Sequence, residues 1–108
     1  MAAYFCCDEF ENEKFPFGTG KFLKINNINI WFQRLSYVGE LGWELYIPFN
    51  DSKKIYELIV EIGKKHNLVH AGRLSMDIMR MEKGYLHWGH DISPAENPYE
   101  AGLGFAVN

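Results

Sequence analysis

The sequence predicts an α+β fold, an antiparallel sheet with two helices packed on one of its faces. Three observations carry that expectation. Two β-rich runs flank an asparagine pair at Asn26-Asn27, one long segment has helical periodicity, and strand-like and helix-like segments are interspersed along the chain. At 108 residues there is room for one domain with a real core and not for two.

Asp8–Lys14 is an acidic cluster running into Phe15-Pro16-Phe17-Gly18, and it reads as a short helix or turn that enters a loop. Lys21–Ile25 and Ile28–Phe32 are the first two strands, and the asparagines between them suit the left-handed positions of a tight hairpin. Gln33–Tyr37 continues the second strand. Trp43–Ile47 alternates charged and apolar side chains as a third strand, stopped by Pro48. Asn50, Asp51 and Ser52 offer N-caps for a helix that reaches about His66. Its Ile55, Leu58, Ile59 and Ile62 share one face, while Lys53, Lys54, Glu57, Glu61 and Lys64 point outward. A second helix is expected over Gly72–Lys83, with Leu74, Ile78 and Met81 as its buried stripe, Met76, Met79 and Met81 as core filler, and Gly84 as its stop. Tyr85–Pro98 carries two prolines and reads as a loop. Gly102–Val107 is expected as a last strand, and a chain that stops directly after it reads as a cut piece.

Composition narrows the function classes. Hydrophobic residues at 47% and charged residues at 23% argue against wholesale disorder. A net charge of −3 offers no electrostatic reason to expect a nucleic acid or an anionic membrane as partner. No apolar run approaches the roughly 18 residues of a spanning helix, and Met1–Phe10 lacks the basic start of a signal peptide. A cytoplasmic location follows as the expectation. The adjacent Cys6 and Cys7 close no useful loop, which fits a reducing compartment, and with no base beside them in sequence they support no nucleophile. The aromatic share of 16% suits either a flat ligand, a buried interface or a core of large side chains.

Two segments invite chemistry. In Arg34–Leu45, Gly39 and Gly42 bracket Glu40, with Tyr37 and Trp43 on either side. A carboxylate at such a tip can accept two parallel N–H bonds from an amidine-like edge, a guanidinium or the 2-amino and N3 groups of a pterin. Tyr37 and Trp43 would wall a flat ring, and Gly39 would let the backbone approach it. The other reading of the same residues is an ordinary hairpin turn with a solvated glutamate. The second segment runs from Arg80 to Asp91. His87 and His90 with Asp91 suggest metal ligands, but they fall in a loop with no cysteine near, and structural hydrogen bonding is the better reading. Arg80 and Glu82 read as a polar anchor at the helix end. Gly18-Thr19-Gly20-Lys21 lacks the earlier glycine of a phosphate loop and leads into a strand. No catalytic residue and no metal site is assigned.

Ser36-Tyr37-Val38-Gly39-Glu40-Leu41-Gly42-Trp43-Glu44 resembles the folate motif of the glycine-cleavage T-protein (aminomethyltransferase) family. Arg80-Met81-Glu82-Lys83-Gly84-Tyr85 with Trp88-Gly89-His90-Asp91 is similar to that family's second signature, in the form favoured by its sarcosine and dimethylglycine dehydrogenase branch. Glu100–Phe105 resembles the strand leading out of the domain, and Phe15–Thr19 its entry. The resemblance implies that residues 1–108 are a single partial folate-binding domain, half of the T-protein module, with an N-terminal subdomain and a C-terminal barrel in a longer parent. It implies tetrahydrofolate as cofactor, with Glu40 on the pterin and Tyr37, Gly39 and Trp43 beside it. FAD would belong to a missing upstream domain.

The implied parent moves a methylene group from a small N-methyl amine's oxidation product onto tetrahydrofolate. A methyl-transferring demethylase and a non-catalytic folate-binding or scaffold domain are the alternatives. The family's catalytic aspartate belongs to the preceding subdomain, so this chain alone is expected to be inactive. The T-protein arginine that precedes the second motif falls here on Met76, with Arg73 out of register. A eukaryotic parent would place the protein in the mitochondrial matrix. Apolar faces turned toward absent parts imply a homo-oligomer.

Overall fold

Asn26 and Asn27 both take left-handed backbone angles, φ 47° and 64°. That pair of angles builds the two-residue turn whose twist matches the strands it joins. The structure, a computed structural model, describes residues 7–107. Cys6 and the Cys7 side chain, on which the thiol expectation falls, lie outside the described residues. The hairpin joins β1 (Gly20–Ile25) to β2 (Ile28–Gln33) in register from Ile25 opposite Ile28 to Gly20 opposite Gln33. β3 (Glu44–Tyr46) pairs antiparallel on the other side of β2, giving the order β1-β2-β3.

Period-two alternation gives the sheet two unlike faces. Ile25, Ile30 and Phe32 turn inward and are buried with Phe15 and Ile55, surrounded by Phe10, Leu23, Ile28, Trp43, Leu45, Ile47, Leu58 and Ile59. The opposite face carries a cross-strand aromatic row, Phe22 against Trp31 with ring centroids 5.0 Å apart and Tyr46 opposite Trp31 on β3. Phe22 and Tyr46 are exposed.

α1 (Ser52–Lys64) closes the inner face with Ile55, Leu58 and Ile59, as the periodicity predicts. The expected side-chain caps do not form in the expected way. A 3-10 turn over Phe49–Asp51 runs straight into α1, and Asp51 at the N-cap position makes no side-chain cap bond. Ser52 instead donates its hydroxyl back to the Phe49 carbonyl at 2.8 Å.

Three further expectations are corrected. β2 ends at Gln33 and does not continue to Tyr37, because the Leu35 amide folds back onto the Gln33 carbonyl in a three-residue turn that lifts the chain off the ladder. Gly102–Val107 forms no strand. Gly102 is left-handed at φ 72°, Leu103 donates to Pro98, and a 3-10 turn spans Gly104–Ala106, so the backbone groups that a strand would offer are spent locally. The third correction concerns α2 (Arg73–Glu82), which forms within the expected range. Its apolar stripe is not buried: Leu74, Ile78 and Met81 are 81%, 55% and 54% exposed, and Met79 is exposed too. The buried residue of α2 is Arg80, at 2% exposure, and Glu82 at the expected anchor is exposed. Periodicity groups residues on a face without saying which face meets the rest of the chain.

Candidate functional site

The connection from β2 to β3 leaves the sheet at Arg34 and returns at Glu44. Arg34 anchors its start, donating to the Phe15 carbonyl at 2.6 Å and to Asn12 Oδ1, with its guanidinium 5.9 Å from the Trp43 ring. Trp43 anchors its end. Its ring meets Phe10 edge-on at 5.4 Å in the margin of the core, and its buried Nε1 has no hydrogen-bond partner.

Between these anchors the loop reaches across to the turn that ends α2. That turn is a helix stop of the left-handed kind. Gly84 takes φ 72°, its amide donates to Met81, and the Tyr85 amide donates to Arg80. Three contacts join loop to turn. The Tyr37 hydroxyl donates to the Leu86 carbonyl at 2.9 Å, the Tyr37 and Tyr85 rings stack 6.4 Å apart, and Lys83 Nζ donates to Glu40 Oε1 at 2.8 Å. Gly39, at φ 69°, is needed here because the Lys83 stem lies against it; a Cβ at 39 would sit 2.6 Å from Lys83 Cγ. The hydrogen bond from Lys83 lowers the pKa of Glu40, and the same bond raises that of Lys83. Glu40 is therefore a carboxylate at neutral pH.

The loop borders a cleft of about 280 Å³ lined by Phe17, Arg34, Ser36, Gly39, Glu40, Leu41, Gly42 and Tyr85. Of the four residues singled out from the sequence, Gly39 and Glu40 line it. Tyr37 ties the loop to the turn, and Trp43 holds the loop's base. Phe17, Arg34 and Tyr85 complete the lining. Tyr85 comes from the second motif, so the two signatures meet at one cleft. The pairing of Lys83 with Glu40, 43 positions apart, leaves no trace in a single sequence.

The second motif is an ionic node. Arg80 donates to Asp91 Oδ2 and, at 3.0 Å, to the Tyr85 carbonyl, and it pairs with Asp77 at 3.4 Å. Asp91 Oδ2 also accepts the His87 amide at 2.8 Å, and Oδ1 lies 3.2 Å from His90 Nδ1. The His87 amide, followed by Arg80 and His90, holds Asp91 down at about 2 from an ordinary 3.8. The two imidazoles stack 5.7 Å apart. Among the described residues no group of three or more His, Cys, Asp or Glu side chains is placed to hold a metal ion. No helix among them is long and apolar enough to cross a membrane.

The family model described as "GCVT N-terminal domain" matches residues 1–108. Human mitochondrial sarcosine dehydrogenase is 44% identical over 97 residues, which is 90% of this chain and 11% of that protein. Human mitochondrial dimethylglycine dehydrogenase is 37% identical over 100 residues, 93% of this chain and 12% of that protein. An aminomethyltransferase of Halothermothrix orenii is 36% identical over 83 residues, 77% of this chain and 23% of that enzyme. The chain thus spans about a tenth of the length of the dehydrogenases it matches.

Proposed function

Because the chain belongs to the GCVT N-terminal domain family, we propose that it forms part of a tetrahydrofolate-binding one-carbon transferase of the sarcosine and dimethylglycine dehydrogenase-like kind, with Glu40 as the residue that grips the pterin. The observation that carries this reading is the meeting of both motifs at one cleft with a charged carboxylate on its rim. The donor set suits the head of the cofactor. A carboxylate accepts the paired N–H groups of a pterin edge, Phe17 and Tyr85 supply flat apolar surface, and Gly42 allows close backbone approach. At about 280 Å³ the cleft suits a ring system and falls short of a whole drug-sized ligand, which needs roughly 300–1,000 Å³.

Tetrahydrofolate, when bound, supplies the nitrogens that accept the one-carbon unit. Glu40 orients the ring, and Tyr37 acts as a positioning residue by fixing the loop that carries Glu40. The N-methyl amine, any flavin and a mitochondrial matrix location belong to the proposed parent. Titrating 5-formyltetrahydrofolate and following tryptophan fluorescence tests the reading. Glu40→Gln is expected to weaken binding about 10- to 100-fold, the loss of a charge-assisted two-point contact. Equal affinity of the two proteins would remove Glu40 from the site.

The exposed stripe of α2 supports a second proposal, self-association of the chain through Leu74, Ile78 and Met81. Sedimentation velocity at high protein concentration is expected to show dimers or larger species that Ile78→Lys shifts toward monomer. A clean monomer for the unaltered chain would refute it.

A further inference from the structure

We infer that Lys83 is a resident competitor for the Glu40 carboxylate, so that a ligand enters the cleft by exchange with its ammonium group; this rests on Glu40 being the ligand's anchor. The geometry sets the two occupants in competition. Lys83 Nζ already donates to Oε1 at 2.8 Å. A donor edge with two parallel N–H groups uses both carboxylate oxygens, and on Oε1 it must contend with the ammonium for the oxygen's charge and approach.

The lysine is placed for this by its backbone. It is the last residue before the left-handed Gly84, and the amides of Gly84 and Tyr85 close the turn onto Met81 and Arg80. The buried Arg80, bonded to the Tyr85 carbonyl and to Asp91, holds that turn in place. The Lys83 stem runs along Gly39, the neighbour of Glu40, where any Cβ would collide with Lys83 Cγ and Cδ at 2.6 and 2.8 Å. The charged tip, on four rotatable carbons, is the part left free to move.

It also has a place to go. Lys83 lines a second cleft of about 380 Å³ beside the first, together with Tyr85, Leu86 and Trp88, and Tyr85 borders both. Lys83 thus lines the second hollow while its tip reaches Glu40, which lines the first. Swinging toward the second vacates Glu40 without moving the backbone. The pair is exposed enough that solvent takes up much of the cost, so exchange is a few-fold effect. A ligand offering a single N–H can take Oε2 with the ammonium in place, so the competition falls on two-point donors.

The test uses 6-methylpterin, a neutral ring without the glutamyl tail whose carboxylates Lys83 would attract. Its binding is followed by fluorescence for the unaltered chain, Lys83→Met and Glu40→Gln, each checked for native circular dichroism. Methionine keeps an apolar stem over Gly39 and removes the charge. Lys83→Met is expected to bind about 2- to 5-fold tighter. Added salt is expected to raise the unaltered chain's affinity toward that of Lys83→Met, because it screens the pair and not the neutral ligand. Loss of binding in Glu40→Gln with unchanged or weaker binding in Lys83→Met would overturn the exchange and leave Glu40 as anchor. Equal binding by Glu40→Gln would overturn both. Absence of binding in the unaltered chain and in Lys83→Met alike would do the same.

Discussion

Phe32→Ala is expected to destabilise the chain by about 3–5 kcal/mol, the usual loss for truncating a buried phenylalanine. Phe32 lies on the central strand with β1 and β3 on either side, is wholly buried, and meets the Phe10 ring edge-on at 5.8 Å. The effect is large because the core is small. Five hydrophobic residues are buried among those described, and domains of this size are held by roughly 5–15 kcal/mol in total. Urea unfolding is expected to show a lower midpoint with an unchanged slope. Phe22→Ala, one strand away on the exposed face, is the matched control and is expected to cost about 1 kcal/mol or less. Equal losses from the two would mean that the sheet buries both faces.

Arg80→Leu is expected to lower the melting temperature by roughly 10 °C, because it strips a charge partner from Asp91 and Asp77 inside the chain. The same node sets an acid limit. Asp91 is held at about 2 in the folded chain against an ordinary 3.8, so its contribution is complete above about pH 4 and is lost as the pH falls toward 2. Melting temperatures across that range are expected to fall more steeply for the unaltered chain than for Asp91→Asn. Parallel curves would show that Asp91 titrates alike in folded and unfolded chains.

The parts of the fold that depend on neighbours in sequence were legible there. The Asn26-Asn27 turn, the two strands it joins and the inward face of α1 follow from local backbone preference and period. What required distant partners was not. Leu74, Ile78 and Met81 mark a real stripe, but its burial depends on what packs against it, and the side of α2 that meets this chain is the one bearing Arg80. Gly102–Val107 has the residues of a strand, but turns take the amides of Gly102, Leu103, Ala106 and Val107. At the site, Glu40 and Gly39 were identifiable from the shape of their motif. Lys83 and Tyr85 stood in the other motif, and only folding sets them beside Glu40.

Tyr37, Glu40 and Gly39 belong to a loop carried by the sheet, whereas Leu86, Tyr85 and Lys83 belong to the segment that follows α2. The cleft wall is therefore a seam. Its width is set by how firmly the sheet and the α2 segment hold together, and anything that wedges or clamps the seam acts on both at once. A ligand that took Glu40 from Lys83 would remove one of the three contacts that close the seam and leave the two made by Tyr37, so occupancy and closure would oppose each other by equal amounts.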